Sequence, residues 1–106
     1  MGGEAFKVTL AISARDDLRE LANYWEEEGE PERARKYVAD LLAAARSLED
    51  MEVARHGKPV RDCNVPEVRE IRVFKRVYRI IYRFDKSARH VEIIRFWHSR
   101  REEPEL

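Results

Sequence analysis

The chain has 106 residues, of which 21 are basic and 21 acidic, so 40% of positions are charged and the formal net charge is zero. That length holds one hydrophobic core without staples, and the single cysteine, Cys63, excludes an intrachain disulfide or a cysteine-based metal cluster and suits a reducing cytoplasm. The first apolar run, about six residues, is too short for a signal peptide or a bilayer span. Residues 6–12, "FKVTLAI", place Phe6, Val8 and Leu10 on one parity and predict a strand. Ser13 suits a helix N-cap, with Asp16 and Asp17 in the first turn, where the dipole favours carboxylates. Ala14, Leu18, Leu21, Ala22 and Trp25 then follow helical spacing up to Gly29. Pro31 suits the first turn of a second helix, whose stripe of Ala34, Tyr37, Val38, Leu41, Leu42, Ala45 and Leu48 ends near Met51. So short a link makes the two helices a hairpin.

Residues 56–67, "HGKPVRDCNVPE", carry two prolines and a glycine and read as a loop. Three strands follow over 68–74, 77–84 and 90–97, joined by a tight "KR" turn at 75–76 and the short link "DKSAR" at 85–89. In "VYRIIYRFD", Tyr78, Ile80, Tyr82 and Phe84 alternate with Val77, Arg79, Ile81 and Arg83, so one face is buried and the other carries cations. In "VEIIRFW" the alternation is too mixed to place Trp97 in the core or on a binding surface. The order β-α-α-β-β-β defines an α+β protein, a helical hairpin packed on one face of a small, mostly antiparallel sheet. It is read as one domain over residues 1–106, with polar, flexible ends at 1–5 and 102–106.

Zero net charge conceals a split. Residues 1–52 hold 7 basic and 13 acidic side chains, whereas residues 69–101 hold 11 basic and 3 acidic. A molecule so divided attracts a polyanion or an acidic protein segment to its basic side.

The stretch "AISARDDLRELANYWEEEGEPERARKYVADLLAAARSL", a "GKPV" loop and then "VREIRV…YRIIYRF…VEIIRFWHSRRE" together resemble the RelE/ParE superfamily of bacterial type II toxins over about residues 6–102. The resemblance implies a cytoplasmic toxin and a cognate antitoxin whose C-terminal segment wraps and neutralises it. It also implies one of two targets. RelE-type members cleave messenger RNA in the ribosomal A site, whereas ParE-type members poison DNA gyrase and are not nucleases. The long hairpin and the "WHSRRE" ending fit the ParE-like branch better. A degenerate, non-toxic binding module is the third reading.

Metal-free RNA cleavage needs a base for the 2′-hydroxyl, cations on the scissile phosphate and an acid for the leaving oxygen. The resemblance offers Arg79, of the "YR-x-x-Y" motif, for the phosphate, with His98, Arg100 and Arg101 completing a nuclease set. For Arg79 the alternative is an ion pair with Glu70 or Glu92 across the sheet. For His98 it is a strand-end hydrogen bond to a backbone carbonyl. Arg69, Arg72, Arg79, Arg83, Arg95 and Trp97 are the candidates for holding antitoxin or target. His56 and His90 lack metal-ligand spacing, so neither metal nor cofactor is expected. No basic helix is present, so direct, specific DNA binding is not expected either.

Overall fold

The computed structural model describes residues 5–60, 67–104 and 106. The chain runs through strand β1 (Lys7–Leu10), helix α1 (Ile12–Glu27), helix α2 (Pro31–Arg46), a 3-10 turn (Ser47–Glu49), the short helix α3 (Met51–Arg55), and strands β2 (Lys58–Pro59), β3 (Val68–Val73), β4 (Tyr78–Asp85) and β5 (His90–His98). The strands form one sheet in the order β1-β5-β4-β3-β2. Among the described strands the β1–β5 pair is parallel and the other three pairs are antiparallel. The expected α+β arrangement is therefore present, with a fifth, two-residue strand inside the segment read as a loop. Residues 61–66 of that segment, Cys63 among them, lie outside the described residues.

Local chemistry accounts for the helical hairpin. Pro31 occupies the first turn of α2, where a missing N–H costs nothing. Gly29 has φ of +79°, a left-handed conformation that suits glycine just past the end of α1. Trp25 of α1 meets Tyr37 of α2 edge to face at 5.5 Å, and the Arg33 guanidinium lies 4.9 Å from the indole centroid. The second helix stops at Arg46, short of the expected Met51, and the chain continues through the 3-10 turn into α3. The Asp50 side chain caps α3 by accepting from the Glu52 N–H.

Ser13 is not the N-cap of α1. That position is Ala11, and Asp16 and Asp17 fall beyond the first turn. Their neighbourhood serves the sheet edge instead. Where β1 ends, β5 continues and its outer backbone groups need partners. The Ala11 N–H donates to Ile93 O at 2.8 Å, Ser13 Oγ to Ile94 O at 2.7 Å, and the Phe96 N–H donates to Asp17 Oδ2 at 3.0 Å. The first turns of α1 thus replace the missing strand.

Two apolar layers result. The main core lies between the helices and one face of the sheet, and includes Phe6, Leu18, Leu41, Leu48, Ile80, Tyr82, Phe84, Val91, Ile93 and Phe96. The β4 alternation is the one predicted, with Tyr78, Ile80, Tyr82 and Phe84 turned to the helices. A smaller cluster of Val68, Ile81 and Trp97 lies on the far face, with Val60, Ile94 and Leu106 against it. The mixed pattern of β5 has a structural cause. Ile81 pairs with Arg95 and Tyr82 with Ile93, so Ile94 is an extra residue that breaks the alternation there. Trp97 therefore lands on the far face and packs there.

Candidate functional site

The arginines predicted to form an open cationic face do not form one. Arg79 is 5% exposed. Its Nε and Nη2 donate to Glu70 Oε1 at 2.9 and 2.6 Å, and its Nη1 and Nη2 donate to the two carboxylate oxygens of Glu103 at 2.9 and 3.3 Å. Burial works against the charged guanidinium, but the hydrogen bonds to Glu70 and Glu103 outweigh it and hold Arg79 above its usual pKa. Arg72 completes the group, its Nε 3.1 Å from Glu70 Oε2. Of the two partners weighed for Arg79, Glu70 is the one used.

Glu103 belongs to the tail read as polar and frayed. The Trp97 indole N–H donates to Glu102 O at 2.8 Å and Leu106 joins the far-face cluster, so the described part of the tail lies along that face. Two guanidiniums also cover the Trp97 ring, Arg95 at 4.4 Å and Arg101 at 3.9 Å from its centroid. Arg95 makes a two-pronged contact with Asp17 at 2.8 and 2.7 Å, and these hydrogen bonds raise its pKa above the usual value. Trp97 is thus a buried residue of the fold, not a projecting anchor.

The remaining candidates are scattered. Arg69 sits on the opposite face from Arg72, where its Nη1 donates to Gly57 O at 3.1 Å and its guanidinium approaches the Phe84 ring. Arg83 is half-exposed and 4.0 Å from Glu92. Arg101 is half-exposed and 3.9 Å from Glu20, and Arg100 is exposed.

His98 lies on the helix side. It pairs with Tyr78 across β4–β5 and meets that ring edge to face at 5.2 Å. Its backbone partner is a donor and not the expected carbonyl: the Arg100 N–H donates to its Nδ1 at 3.1 Å, so in the neutral ring the proton sits on Nε2. Arg79 pairs with Trp97, one step along each strand from Tyr78 and His98. Successive strand residues face opposite sides, so the sheet separates Arg79 from His98. Of the residues grouped by the nuclease reading, His98 and Arg101 border the same helix-side cleft, and Arg79 is cut off from both.

On the helix side the structure opens a cleft of about 1260 Å³ between the hairpin and the β3–β4 end of the sheet, lined by Leu21, Tyr24, Tyr37, Tyr78, Phe96 and His98, with Phe74 and Val77 at the β3–β4 turn and Glu20 and Glu27 from α1. Sequence reasoning missed this cleft, as well as Asp17 and Glu103 as partners of the arginines. The visible signal was the pair of apolar residues flanking "KR" at 75–76. Among the described residues no group of three His, Cys, Asp or Glu side chains is placed to hold a metal, and no helix is long and apolar enough to cross a membrane.

This fold, a helical hairpin on a mixed sheet, matches known proteins. A chain of the structure described as a chromosomal ParDE TA system from P. aeruginosa aligns at a TM-score of 0.73 and 20% identity, over 91% of this chain and 98% of that one. The RelBE2 toxin–antitoxin complex from Mycobacterium tuberculosis aligns at 0.64 and 26%, over 89% and 98%. No curated protein matches the chain. The architecture is that of the RelE/ParE toxin superfamily. A family model described as the ParE toxin of type II toxin–antitoxin systems, parDE, matches residues 8–103, and the chain belongs to that family.

Proposed function

We propose that the protein arrests growth by binding a protein target, DNA gyrase, in the cytoplasm, and that a cognate antitoxin silences it. One observation carries the choice of a binding poison over a ribosome-dependent nuclease: Arg79 is buried and neutralised by Glu70 and Glu103, with the sheet between it and His98. A scissile phosphate needs a cation and an acid or base within reach of the same atoms. Here Arg79 has two carboxylates on it with the histidine facing the other way, and Arg101, which borders the cleft with His98, lies 3.9 Å from the Glu20 carboxylate. The antitoxin is supported by the solved relatives, whose titles describe toxin–antitoxin systems.

The test is induction of the chain in bacteria, alone and with the product of a neighbouring antitoxin-like reading frame. The expected result is growth arrest with an SOS response, filamentation and gyrase-linked DNA breaks, relieved by the partner. His98→Gln should arrest growth as the parent does. Immediate translation arrest with A-site cuts, abolished by His98→Gln, would overturn the gyrase reading in favour of the nuclease.

A further inference from the structure

The turn between β3 and β4 does nothing for the core, yet its backbone is costly. Phe74, Lys75 and Arg76 all have positive φ, at 54°, 56° and 69°. The Val77 N–H donates to Phe74 O at 3.1 Å, closing a two-residue turn over Lys75 and Arg76. Turns with positive φ at both central positions are normally built with Asn-Gly or Asp-Gly. Here a lysine and an arginine take those places, and a phenylalanine before them is left-handed too. The strain is locked from behind by Ser99, whose N–H donates to Val77 O at 2.8 Å and whose Oγ donates to Arg76 O at 2.6 Å. Strain that the surroundings hold in place, with no benefit to packing, points to a use outside the fold.

The side chains agree. Phe74 is 44% exposed and Val77 41%, and neither joins a core cluster. Lys75, Arg76 and Arg100 are exposed and make no ion pair among the described residues. The tip therefore presents two apolar side chains with three exposed cations close by in the chain or across the β4–β5 pair. It also borders the helix-side cleft, so the apolar surface continues past Phe74 and Val77 onto Leu21, Tyr24 and Tyr78.

We propose that this tip is a protein-docking wedge: Phe74 and Val77 enter an apolar recess of the partner whose rim carries carboxylates that meet Lys75, Arg76 and Arg100. The partner is the toxin's protein target, so the inference rests on the reading of the preceding section. Aromatic side chains with cations can also hold single-stranded RNA. The same cleft, however, is lined by four carboxylates (Asp17, Glu20, Glu27 and Asp40) against two cations (Lys36 and Arg101), and a backbone charged at every phosphate cannot avoid that negative excess. A folded protein can place its carboxylates over the cations alone. The tip by itself is smaller than the roughly 800 Å² per partner of a stable interface, and the cleft supplies the remaining surface.

Two variants test the wedge. Phe74→Asn removes the ring with a residue that tolerates left-handed backbone. Lys75→Asn with Arg76→Gly installs the preferred turn pair and removes both cations. The double variant should melt at or above the parent's temperature, which shows that the fold is intact. Both should weaken binding to purified DNA gyrase by roughly tenfold or more, as hot-spot substitutions do, and lose growth arrest at equal protein level. Unchanged affinity and arrest would overturn the proposal. So would salt-dependent binding of a single-stranded RNA oligonucleotide that vanishes in Phe74→Asn, or a parent that neither arrests growth nor binds gyrase. Arrest without gyrase binding would defeat the gyrase reading alone, and the variants' effect on arrest would then decide the wedge.

Discussion

Glu70 gives each of its carboxylate oxygens to a different arginine, Oε1 to Arg79 and Oε2 to Arg72. Burial alone would lift the Glu70 pKa, but hydrogen bonds and charge from Arg79, then from Arg72, hold it below the usual value. The motif arginine of β4 is thus a structural cation. Removing its partner should be worse than removing both.

Glu70→Gln leaves a buried guanidinium facing Glu103, whose side chain is 72% exposed. Because Glu103 still pairs with that guanidinium, the loss should be roughly 2–3 kcal/mol by urea denaturation, whereas Glu70→Met with Arg79→Met should recover most of that. Because the folded Glu70 pKa is depressed, its contribution is present above the ordinary glutamate value and is lost as pH falls through the lower folded one. Stability measured below about pH 4 should therefore fall less in Glu70→Gln than in the parent. Equal acid slopes would remove Glu70 as a source of acid lability.

Asp17 and Asp16 are neighbours with opposite fates. Asp17 is buried and accepts two hydrogen bonds from Arg95 and one from the Phe96 N–H, whereas Asp16 is exposed. Asp17→Ala should destabilise by about 3 kcal/mol, since it orphans a partly buried charge and a sheet-edge N–H. Asp16→Ala should stay within about 0.5 kcal/mol. Chemical denaturation of the pair measures the contrast, and similar losses would mean that the edge cap carries little.

Tyr82 should make the fold labile to alkali. Its ring is fully buried, its hydroxyl donates to Ala54 O at 2.6 Å, and burial pushes its pKa up to about 12. The unfolded tyrosine ionises near pH 10. The raised folded value means that stability is full below pH 10 and declines as pH rises towards about 12, by roughly 2–3 kcal/mol. Tyr82→Phe should lose a hydrogen bond at neutral pH but flatten that decline. A phenylalanine variant with the parent's alkaline slope would show that another group is responsible.

Gly57, in the "GKPV" loop, leaves room for that same hydroxyl: a Cβ there would overlap Tyr82 Oη and press on Arg69 Cβ at 3.2 Å. Gly57→Ala should cost roughly 2–3 kcal/mol through overpacking. Gly29→Ala meets nothing within 4 Å, but its left-handed backbone should still cost about 1 kcal/mol. Thermal melts of the two variants check the order.

The order of strands and helices was legible because it follows from short-range patterns. Alternation in residues 78–84, the helical stripes on either side of Gly29 and the proline at position 31 are set within a few residues of themselves. The turn at 75–76 was legible from its length, though not its left-handed backbone, since nothing in "KR" announces positive φ.

The reach of each arginine was not legible. The sequence by itself determined that cations alternate with a buried face and that the carboxylates gather in the first half of the chain. Only the tertiary structure decided that Asp17 crosses 78 positions to Arg95 and Glu103 crosses 24 to Arg79. An extra residue at Ile94 likewise sends Trp97 to the far face. Alternation says which side of a strand a charge leaves from. What meets it there depends on chain segments that folding brings close, and a buried cation must find its counter-charge among them.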